Sequence, residues 1–345
     1  MSIRLPTTRR GRRSAVQEAT YQTELRDFCA GILEIASRLD FKVSARGWCY
    51  ILEEYGVDKG EFQRVQSLIA DCRKSGLLPL GITSEDVARE TSRSDAGTCA
   101  DGEDLITYLA ECGEDLRYLV DRIGSDYTPT AFWDEQDCYV EMVVEKIDLR
   151  SLFEPICEQH YVPLTNSRGW ADIHSRANMM RRFQHHESEG RQCVLLYCGD
   201  HDPGGLHISE QIRSNLSAVA DAAGWTPDDL IIERFGLNYD FITENNLTWV
   251  ENLETSSGQR LDDPKHKDHW KPYVQDYIRQ FGARKVEANA LVTRPAAGRE
   301  MCRQAIEEWV SAEALADYRR RMRQARRDVA GRIPDLVRAV LEDML

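Results

Sequence analysis

The chain lacks the features that mark membrane and secreted disulfide-rich proteins. No apolar run approaches the roughly 20 residues of a membrane-spanning helix, and the first residues contain no signal-peptide core. The ten cysteines include no C-x-x-C pair, which argues against a zinc site or a disulfide framework. The scattered histidines predict no histidine metal site. We therefore expect a cytoplasmic protein with reduced thiols and no membrane partner.

The chain also lacks an overall positive charge, since its formal net charge is −14. This balance is awkward for a nucleic-acid-binding protein, whose contact surface should be basic. The basic residues are clustered, however. One cluster is an N-terminal arm over residues 1–19, predicted to be flexible, and the other is a C-terminal helical stripe within residues 301–345. For the arm we favour nucleic acid over mere solubility. The arginines are Arg4, Arg9, Arg10, Arg12 and Arg13 in the arm, and Arg319, Arg320, Arg321, Arg323, Arg326 and Arg327 in the stripe.

The most informative motif is an apolar run, residues 193–198, that ends in a D-x-D pair at Asp200 and Asp202. Such a run followed by glycine reads as a buried parallel strand, and chemistry in these folds lies beyond the strand end. Alternate residues of an extended chain point the same way, so the two carboxylates should converge and bind a hard divalent cation, Mg²⁺ above all. The alternative is that the aspartates cap the next helix, with Pro-Gly-Gly setting the bend.

A second predicted strand, Tyr139–Val144, ends in Glu145 before a helical pattern that begins near Ile147. Parallel strands place their carboxyl ends at one edge of a sheet, so Glu145 should join the aspartate pair there. Glu141 and Asp148 are rivals for this role. They are less attractive because Glu141 lies within the strand and Asp148 lies on the helix.

These motifs together resemble the Toprim domain of the topoisomerase VI A subunit and its meiotic double-strand-break relative. The resemblance rests on Glu145 and on the segment Gly199–Gly205, and it implies that Glu145, Asp200 and Asp202 bind Mg²⁺. A further segment, residues 168–176, is similar to the family's basic-Gly-x-Pro-Asp-x-x-Thr-Arg stretch, although Ala171 replaces the usual proline. This match makes Arg168 and Arg176 candidates for DNA contact.

The resemblance also implies a DNA-cleaving tyrosine upstream. Arg46 and Tyr50 fit the family's Arg-x-x-x-Tyr signature, and residues four apart share one face of a helix. The guanidinium would then reach the phosphate that the phenol attacks, forming a 5′-phosphotyrosyl link. The alternative is a core position, because apolar and aromatic residues surround Tyr50. Gly47 departs from the family pattern and could mark an N-terminal helix position.

Around Tyr50 the pattern predicts a winged helix, with helices at 21–39, 45–55 and 60–75 and an extended wing at 77–83. The third helix carries Arg64, Arg73 and Lys74, residue types that contact DNA. A solvated helix face would look similar.

The predicted fold class is α/β plus an α-rich winged helix. A Rossmann-like Toprim domain with a mostly parallel sheet follows an N-terminal winged-helix (CAP-like) domain. The predicted boundaries are the flexible arm at 1–19, the winged-helix domain at 20–100, a helical connector at 101–137, the Toprim domain with an extension at 138–300, and C-terminal helices at 301–345. Within the extension, residues 285–291 resemble the family's Glu-Leu-Asp-Ala-Leu segment, with Asn289 replacing aspartate.

The resemblance lies nearest the free-standing Topo mini-A type and implies a Mg²⁺-dependent, type IIB topoisomerase-like DNA transesterase. Its expected partner is double-stranded DNA, and it would act as a homodimer in which one protomer's tyrosine meets the other's metal. The sequence shows no P-loop or GHKL-type box, so strand passage would need an ATPase B-type subunit. A cytoplasmic enzyme associated with nucleoid or viral DNA is expected. The alternatives are a Toprim nuclease in which water attacks, and a non-catalytic DNA-binding factor.

Overall fold

The computed structural model describes residues 3–7, 14–84, 113–115, 117–118, 122, 124–125, 127–167, 173–255 and 258–344. The chain divides into two compact units. The first combines Met1–Glu85 with Asp137–Trp309, and the second combines Asp86–Gln136 with Val310–Leu345. The N-terminal helices and the sheet share the first unit. Among the described helices, none has the length and apolar character needed to cross a membrane.

The first unit begins with three helices, α1 (Ala15–Ala36), α2 (Ala45–Glu53) and α3 (Phe62–Lys74). All three were predicted, but α1 starts six residues earlier than expected. Ser14 and Gln17 form a reciprocal capping box there, which satisfies amide groups that would otherwise lack partners. Gly47 is the third residue of α2, and its N–H donates to Ser44 Oγ at 3.0 Å, so it does occupy an N-terminal helix position.

The described residues of the predicted arm, 3–7 and 14–19, make contacts within the unit and include the start of α1. The apolar side chain of Ile3 is buried, which removes it from water and stabilises its position. The Ile3 N–H also donates to Tyr55 O at 3.1 Å. Thr7 Oγ1 donates to Glu24 at 3.1 Å, and residues 15–19 already belong to α1. The arginines at 9, 10, 12 and 13 lie outside the described residues.

The predicted extended wing is wrong. Leu80–Ile82 forms a 3₁₀ helix, and none of residues 77–84 lies in a strand. Polar groups of the helices bind this segment locally, since Trp48 Nε1 donates to Ile82 O at 2.9 Å and Arg73 Nε donates to Leu80 O at 3.0 Å. These contacts hold the backbone in a turn instead of a hairpin.

The core of the unit is a parallel sheet of four strands, which confirms the α/β class. The strands are β1 (Cys138–Val144), β2 (Leu164–Asn166), β3 (Gln192–Cys198) and β4 (Ile231–Gly236), in the order β2-β1-β3-β4. The two central strands, β1 and β3, are apolar along nearly their whole length because helices cover both faces of a parallel sheet. The short strand β2 was not predicted.

Helices fill the connections and complete the first unit. They are α4 (Ile147–Gln159), α5 (Ile173–Ser188), α6 (Pro203–Leu206), α7 (Ile208–Ser217), α8 (Ala220–Ala223), α9 (Tyr239–Glu244), α10 (Pro272–Phe281) and α11 (Pro295–Glu307), with a 3₁₀ helix at Ala288–Thr293. In the described part of the chain eight cysteines are free, and most are buried.

The second unit contains a 3₁₀ helix at Phe132–Glu135 and the helices α12 (Ala312–Ala330) and α13 (Ile333–Met344). Phe132 packs edge-to-face on Tyr318 at 5.2 Å, and Tyr318 donates a hydrogen bond to Thr130 O at 2.9 Å. Part of the predicted arginine stripe is paired, because Arg321 binds Glu135. The predicted linker at 91–102 and most of the helix predicted at 103–123 lie outside the described residues.

Candidate active site

The carboxyl ends of β1 and β3 bring Glu145 and Asp200 together. The strands are in register to their last residues, Val144 opposite Cys198, and Glu145 N–H donates to Cys198 O at 3.2 Å. Glu145 Oε2 then accepts from the Asp200 N–H at 3.3 Å. The two acids therefore meet at one edge of the sheet.

A lysine lies between these two carboxylates. Lys146 Nζ is 2.6 Å from Glu145 Oε1 and 3.0 Å from Asp200 Oδ2. Burial alone would lower the pKa of Lys146, but the charges of Asp200 and Glu145 raise it above its ordinary value. Sequence reasoning missed this residue, although two converging acids require a cation and Lys146 directly follows the first acid.

Asp202 has a different role from Asp200 in this arrangement. Its Oδ1 accepts the Gly205 N–H at 2.6 Å and caps α6, which is the alternative interpretation of the D-x-D motif. The turn is tight enough to require glycine, because a Cβ on Gly205 would lie 2.0 Å from Asp200 O. His201 points away from both acids into an aromatic cluster, where burial lowers its pKa to about 4.

The site is electrostatically strained in a way that a divalent cation would relieve. Burial raises the pKa of Asp200 to about 7, and Glu145 and Asp202 add to this effect while Lys146 opposes it. Burial also raises the pKa of Asp202. A second positive charge would favour both ionised forms, and carboxylate oxygens are the donors that Mg²⁺ prefers. These carboxylates are suitable donors for a hard cation, but the Lys146 ammonium already lies between Glu145 and Asp200, so a metal would have to displace it.

The carboxylate oxygens of Glu145, Asp200 and Asp202 do not all lie within 4.8 Å of one another. Among the described residues, the group of three whose ligand atoms all lie within 4.8 Å is His185, His186 and Glu189. Sequence reasoning did not expect a histidine cluster. Arg191 competes with a metal there, since its NH1 is 3.2 Å from His186 Nδ1 and also binds Glu189.

The two rival acids both have structural partners. Glu141 is fully buried, and its two oxygens each lie 2.7 Å from a donor of Arg182. Asp148 accepts the Ser44 hydroxyl at 2.6 Å and also binds the Ser44 N–H and Asn289. Each side chain is therefore committed away from the strand tips.

The segment Lys285–Asn289 joins the sheet edge to the N-terminal helices. Val286 and His201 exchange backbone hydrogen bonds at 2.8 and 3.1 Å, which fixes the segment beside the D-x-D motif. The Ala288 N–H then donates to Asp200 Oδ1 at 2.8 Å, and Asn289 binds Asp148. Consecutive residues thus contact different parts of the site.

Arg46 and Tyr50 both bind Glu287, the residue just before Ala288. Arg46 donates through Nε and NH2 to the two Glu287 oxygens at 3.0 and 3.1 Å. The Tyr50 hydroxyl donates to Glu287 Oε2 at 2.8 Å. The predicted pair is therefore linked, within one chain, to the segment that holds Asp200. Glu287 was not among the predicted site residues, although it belongs to the segment that resembles Glu-Leu-Asp-Ala-Leu.

The Tyr50 side chain is 1% exposed, and it is not an activated nucleophile in this arrangement. Burial and the charge of Glu287 raise the pKa of Tyr50 well above its ordinary value. Burial alone would raise the pKa of Glu287 as well, but hydrogen bonds and charge from Arg46 hold it below the usual range. Glu287 is therefore ionised, and its pairing with Arg46 makes it a weak proton acceptor for as long as that pair persists.

A cavity of about 860 Å³ opens beside these groups. Its lining includes the acidic residues Glu145, Asp200, Asp202 and Glu287 together with Arg46. A space of this size admits a substrate much larger than a single nucleotide phosphate.

The predicted DNA-binding residues are dispersed. Lys74 is 77% exposed and pairs with Asp71, whereas Arg73 binds a local backbone oxygen. Arg64 binds Glu61 and Pro6 O, and Arg176 donates to Asn215 O at 3.2 Å. Arg168 lies outside the described residues. Lys74 is thus the predicted contact most accessible to a partner, while Arg64 and Arg176 have roles within the fold.

Comparison of the chain with protein-family models, curated proteins and solved structures finds no match. The resemblance to the topoisomerase VI A family stays a prediction that rests on the motifs.

Proposed function

We propose that this chain is a Mg²⁺-dependent DNA transesterase similar to the type IIB topoisomerases. The observation that carries the proposal is the convergence of Glu145 and Asp200 on one ammonium group at the carboxyl edge of a parallel sheet. This edge is where α/β folds bind their ligands. Glu145, Asp200 and the free oxygen of Asp202 would hold the metal. When bound, Mg²⁺ supplies charge that stabilises the phosphate undergoing attack.

In this proposal Tyr50 is the nucleophile and Glu287 accepts its proton. The Tyr50 oxygen attacks the phosphorus and the bond from phosphorus to the 3′ oxygen breaks, which leaves a 5′-phosphotyrosyl link. Once a phosphate has taken Arg46 away from Glu287, the carboxylate accepts the phenol proton across its 2.8 Å hydrogen bond, and that proton passes through water to the released 3′ oxygen. Arg46 positions the phosphate through its guanidinium.

The reaction requires the Arg46–Glu287 pair to open and Tyr50 to become accessible, while the hydrogen bond between Tyr50 and Glu287 stays in place until the proton is transferred. A phosphodiester competes with Glu287 for Arg46, since both are bidentate acceptors for a guanidinium. We propose a homodimer acting on double-stranded DNA, with an ATPase B-type subunit supplying any strand passage.

The second candidate function is a metal-dependent DNA nuclease in which water attacks. The burial of Tyr50 and its edge-to-face packing on Phe62 at 5.2 Å favour this candidate, because both are typical of a core residue. Tyr50 would then be structural, while the acidic edge would keep its role.

Trapping a covalent adduct distinguishes the two candidates. Supercoiled DNA is incubated with the protein and Mg²⁺, quenched with denaturant, and assayed for protein-linked 5′ ends. Tyr50→Phe should abolish both adduct and cleavage, and Glu287→Gln should slow adduct formation without preventing it. Cleavage that survives in Tyr50→Phe would support the nuclease. If Asp200→Ala leaves cleavage unchanged, the acidic edge is not the catalytic site.

A further inference from the structure

An exposed aromatic and basic surface borders the cavity and has no part in the proposed chemistry. We define the Trp270 surface as Lys265, Lys267, Trp270 and Lys271. Trp270 is 69% exposed, whereas the buried tryptophans of the described residues are 8% exposed or less. Three of the eight lysines in the chain lie within the seven positions 265–271. An exposed tryptophan beside clustered lysines points to a ligand with flat apolar groups and negative charges.

Trp270 is held in place although it is exposed. Its indole Nε1 donates to Pro264 O at 3.2 Å, and its ring lies edge-to-face on His269 at 4.6 Å. His269 is buried and binds Leu261 O at 2.7 Å. A fixed aromatic face presented to solvent loses little conformational entropy when a planar group stacks on it.

One of the three lysines is paired with an acid, whereas the other two are exposed. Asp268 pairs with Lys271 at 2.8 Å, and Asp262 pairs with Arg260. Lys265 and Lys267 are both exposed. Residues 260–271 contain four basic residues and three aspartates, so this segment is less acidic than the chain as a whole, whose net charge is −14.

The surface adjoins the cavity that contains the acidic edge. Leu261, Asp268 and Tyr273 line that cavity together with Asp200 and Asp202. Lys271 lies 6.0 Å from the ring centre of Tyr273. A strand lying across the Trp270 surface would therefore lead toward the acidic residues.

We infer that the Trp270 surface binds single-stranded nucleic acid, with one base stacked on Trp270 and phosphates bound by Lys265 and Lys267. Unpaired bases expose the planar face that stacking requires, whereas paired bases in a duplex keep theirs covered. Aromatic platforms combined with lysines are the way proteins bind single strands without sequence preference. The inference does not rest on Tyr50 or on any cleavage reaction.

The test is binding of a labelled oligothymidylate of about 12 nucleotides, a length within known single-strand site sizes, by fluorescence anisotropy in EDTA. Trp270→Ala should weaken binding by about 5- to 150-fold, the range for losing one stacked base. Trp270→Phe should retain most of the affinity because it keeps an aromatic face. Leu80→Ala is the matched control, since Leu80 is 70% exposed in the same unit, and it should bind normally.

The lysines are tested by their effect on salt dependence. Replacing Lys265 and Lys267 with Gln should reduce the slope of log affinity against log salt by about 0.7 for each phosphate contact, or about 1.4 in total. Trp270→Ala should leave that slope unchanged. The matched control replaces two exposed arginines outside the Trp270 surface, Arg38 and Arg181, with Gln.

Two outcomes would overturn the inference, which are normal oligothymidylate binding by Trp270→Ala and equal losses in the arginine control. If Trp270→Ala binds normally and also changes its oligomeric state, the surface belongs to an interface with a second copy of the chain. Because the assay contains no metal, its failure leaves the proposed cleavage untouched, and absent cleavage leaves this inference untouched.

Discussion

Two glutamates on β1 and at its end, Glu141 and Glu145, should respond in opposite ways to the same conservative change. Glu141 is fully buried and paired at 2.7 Å through both oxygens, while Glu145 is partly exposed at the sheet edge. Replacing each with Gln keeps the volume and removes the charge. We expect Glu141→Gln to lower stability with little direct effect on chemistry, and Glu145→Gln to abolish cleavage with little effect on stability.

The size of the Glu141 effect follows from its partner. Removing one member of a buried ion pair costs about 3–5 kcal/mol. The side chain of Arg182 is 41% exposed, so its charge regains water and the loss should lie near about 3 kcal/mol. In domains of 150–250 residues, a loss of ~1 kcal/mol lowers the midpoint temperature of thermal unfolding by about 2–4 °C. The expected drop in melting temperature for Glu141→Gln is therefore about 6–12 °C.

The Glu145 effect on stability should be small for two reasons. Its ion pair with Lys146 is partly solvated and worth about 0–1 kcal/mol. Its neutralisation also removes repulsion from Asp200, whose pKa Glu145 helps to raise.

The assay is differential scanning fluorimetry on both variants, followed by plasmid cleavage below their melting temperatures. If Glu141→Gln has the same melting temperature as the wild type, the argument from the buried ion pair is refuted. A Glu145→Gln protein that cleaves normally would remove Glu145 from the proposed site.

Two further predictions concern the D-x-D turn. The pKa of Asp200, about 7 in the folded chain against an ordinary 3.8, means that its stabilising effect is lost as pH rises through about 7. In metal-free buffer Asp200→Asn should therefore be more stable than the wild type at pH 8, and only the wild type should gain melting temperature from Mg²⁺; equal pH profiles would contradict this. Gly205→Ala should displace Asp200 and abolish Mg²⁺-dependent stabilisation, because its Cβ would lie 2.0 Å from Asp200 O. Gly81→Ala, whose nearest neighbour would be 3.6 Å away, is the control, and equal behaviour of the two variants would exclude the close contact.

The elements with long, regular patterns could be predicted from sequence. The apolar runs that form β1 and β3 are buried on both faces, so their pattern does not depend on distant residues, and their order along the chain fixes which acids reach the strand tips. The helices α2 and α3 likewise follow from local pattern. The short strand β2 has three half-buried residues and no pattern long enough to detect.

The contacts that complete the site could not be read from local pattern. Glu287 binds Tyr50 and Arg46, which lie about 240 positions away in the sequence. The prediction of an extended wing was wrong for a related reason. Side chains of α2 and α3 bind the backbone oxygens of Ile82 and Leu80, and the local sequence pattern does not reveal these contacts. Asp202 satisfied two interpretations equally, because a helix cap and a metal ligand need the same carboxylate.

The turn at Glu287–Asn289 constrains how this chain can change over evolutionary time. Three successive residues face three separate partners there, which are the Tyr50–Arg46 pair, Asp200 and Asp148. Inserting or deleting one residue would shift all three contacts at once, so each would be lost together instead of one by one. Descendants of this sequence should therefore vary in length elsewhere, for instance at the exposed residues 258–260, and keep this turn at constant length.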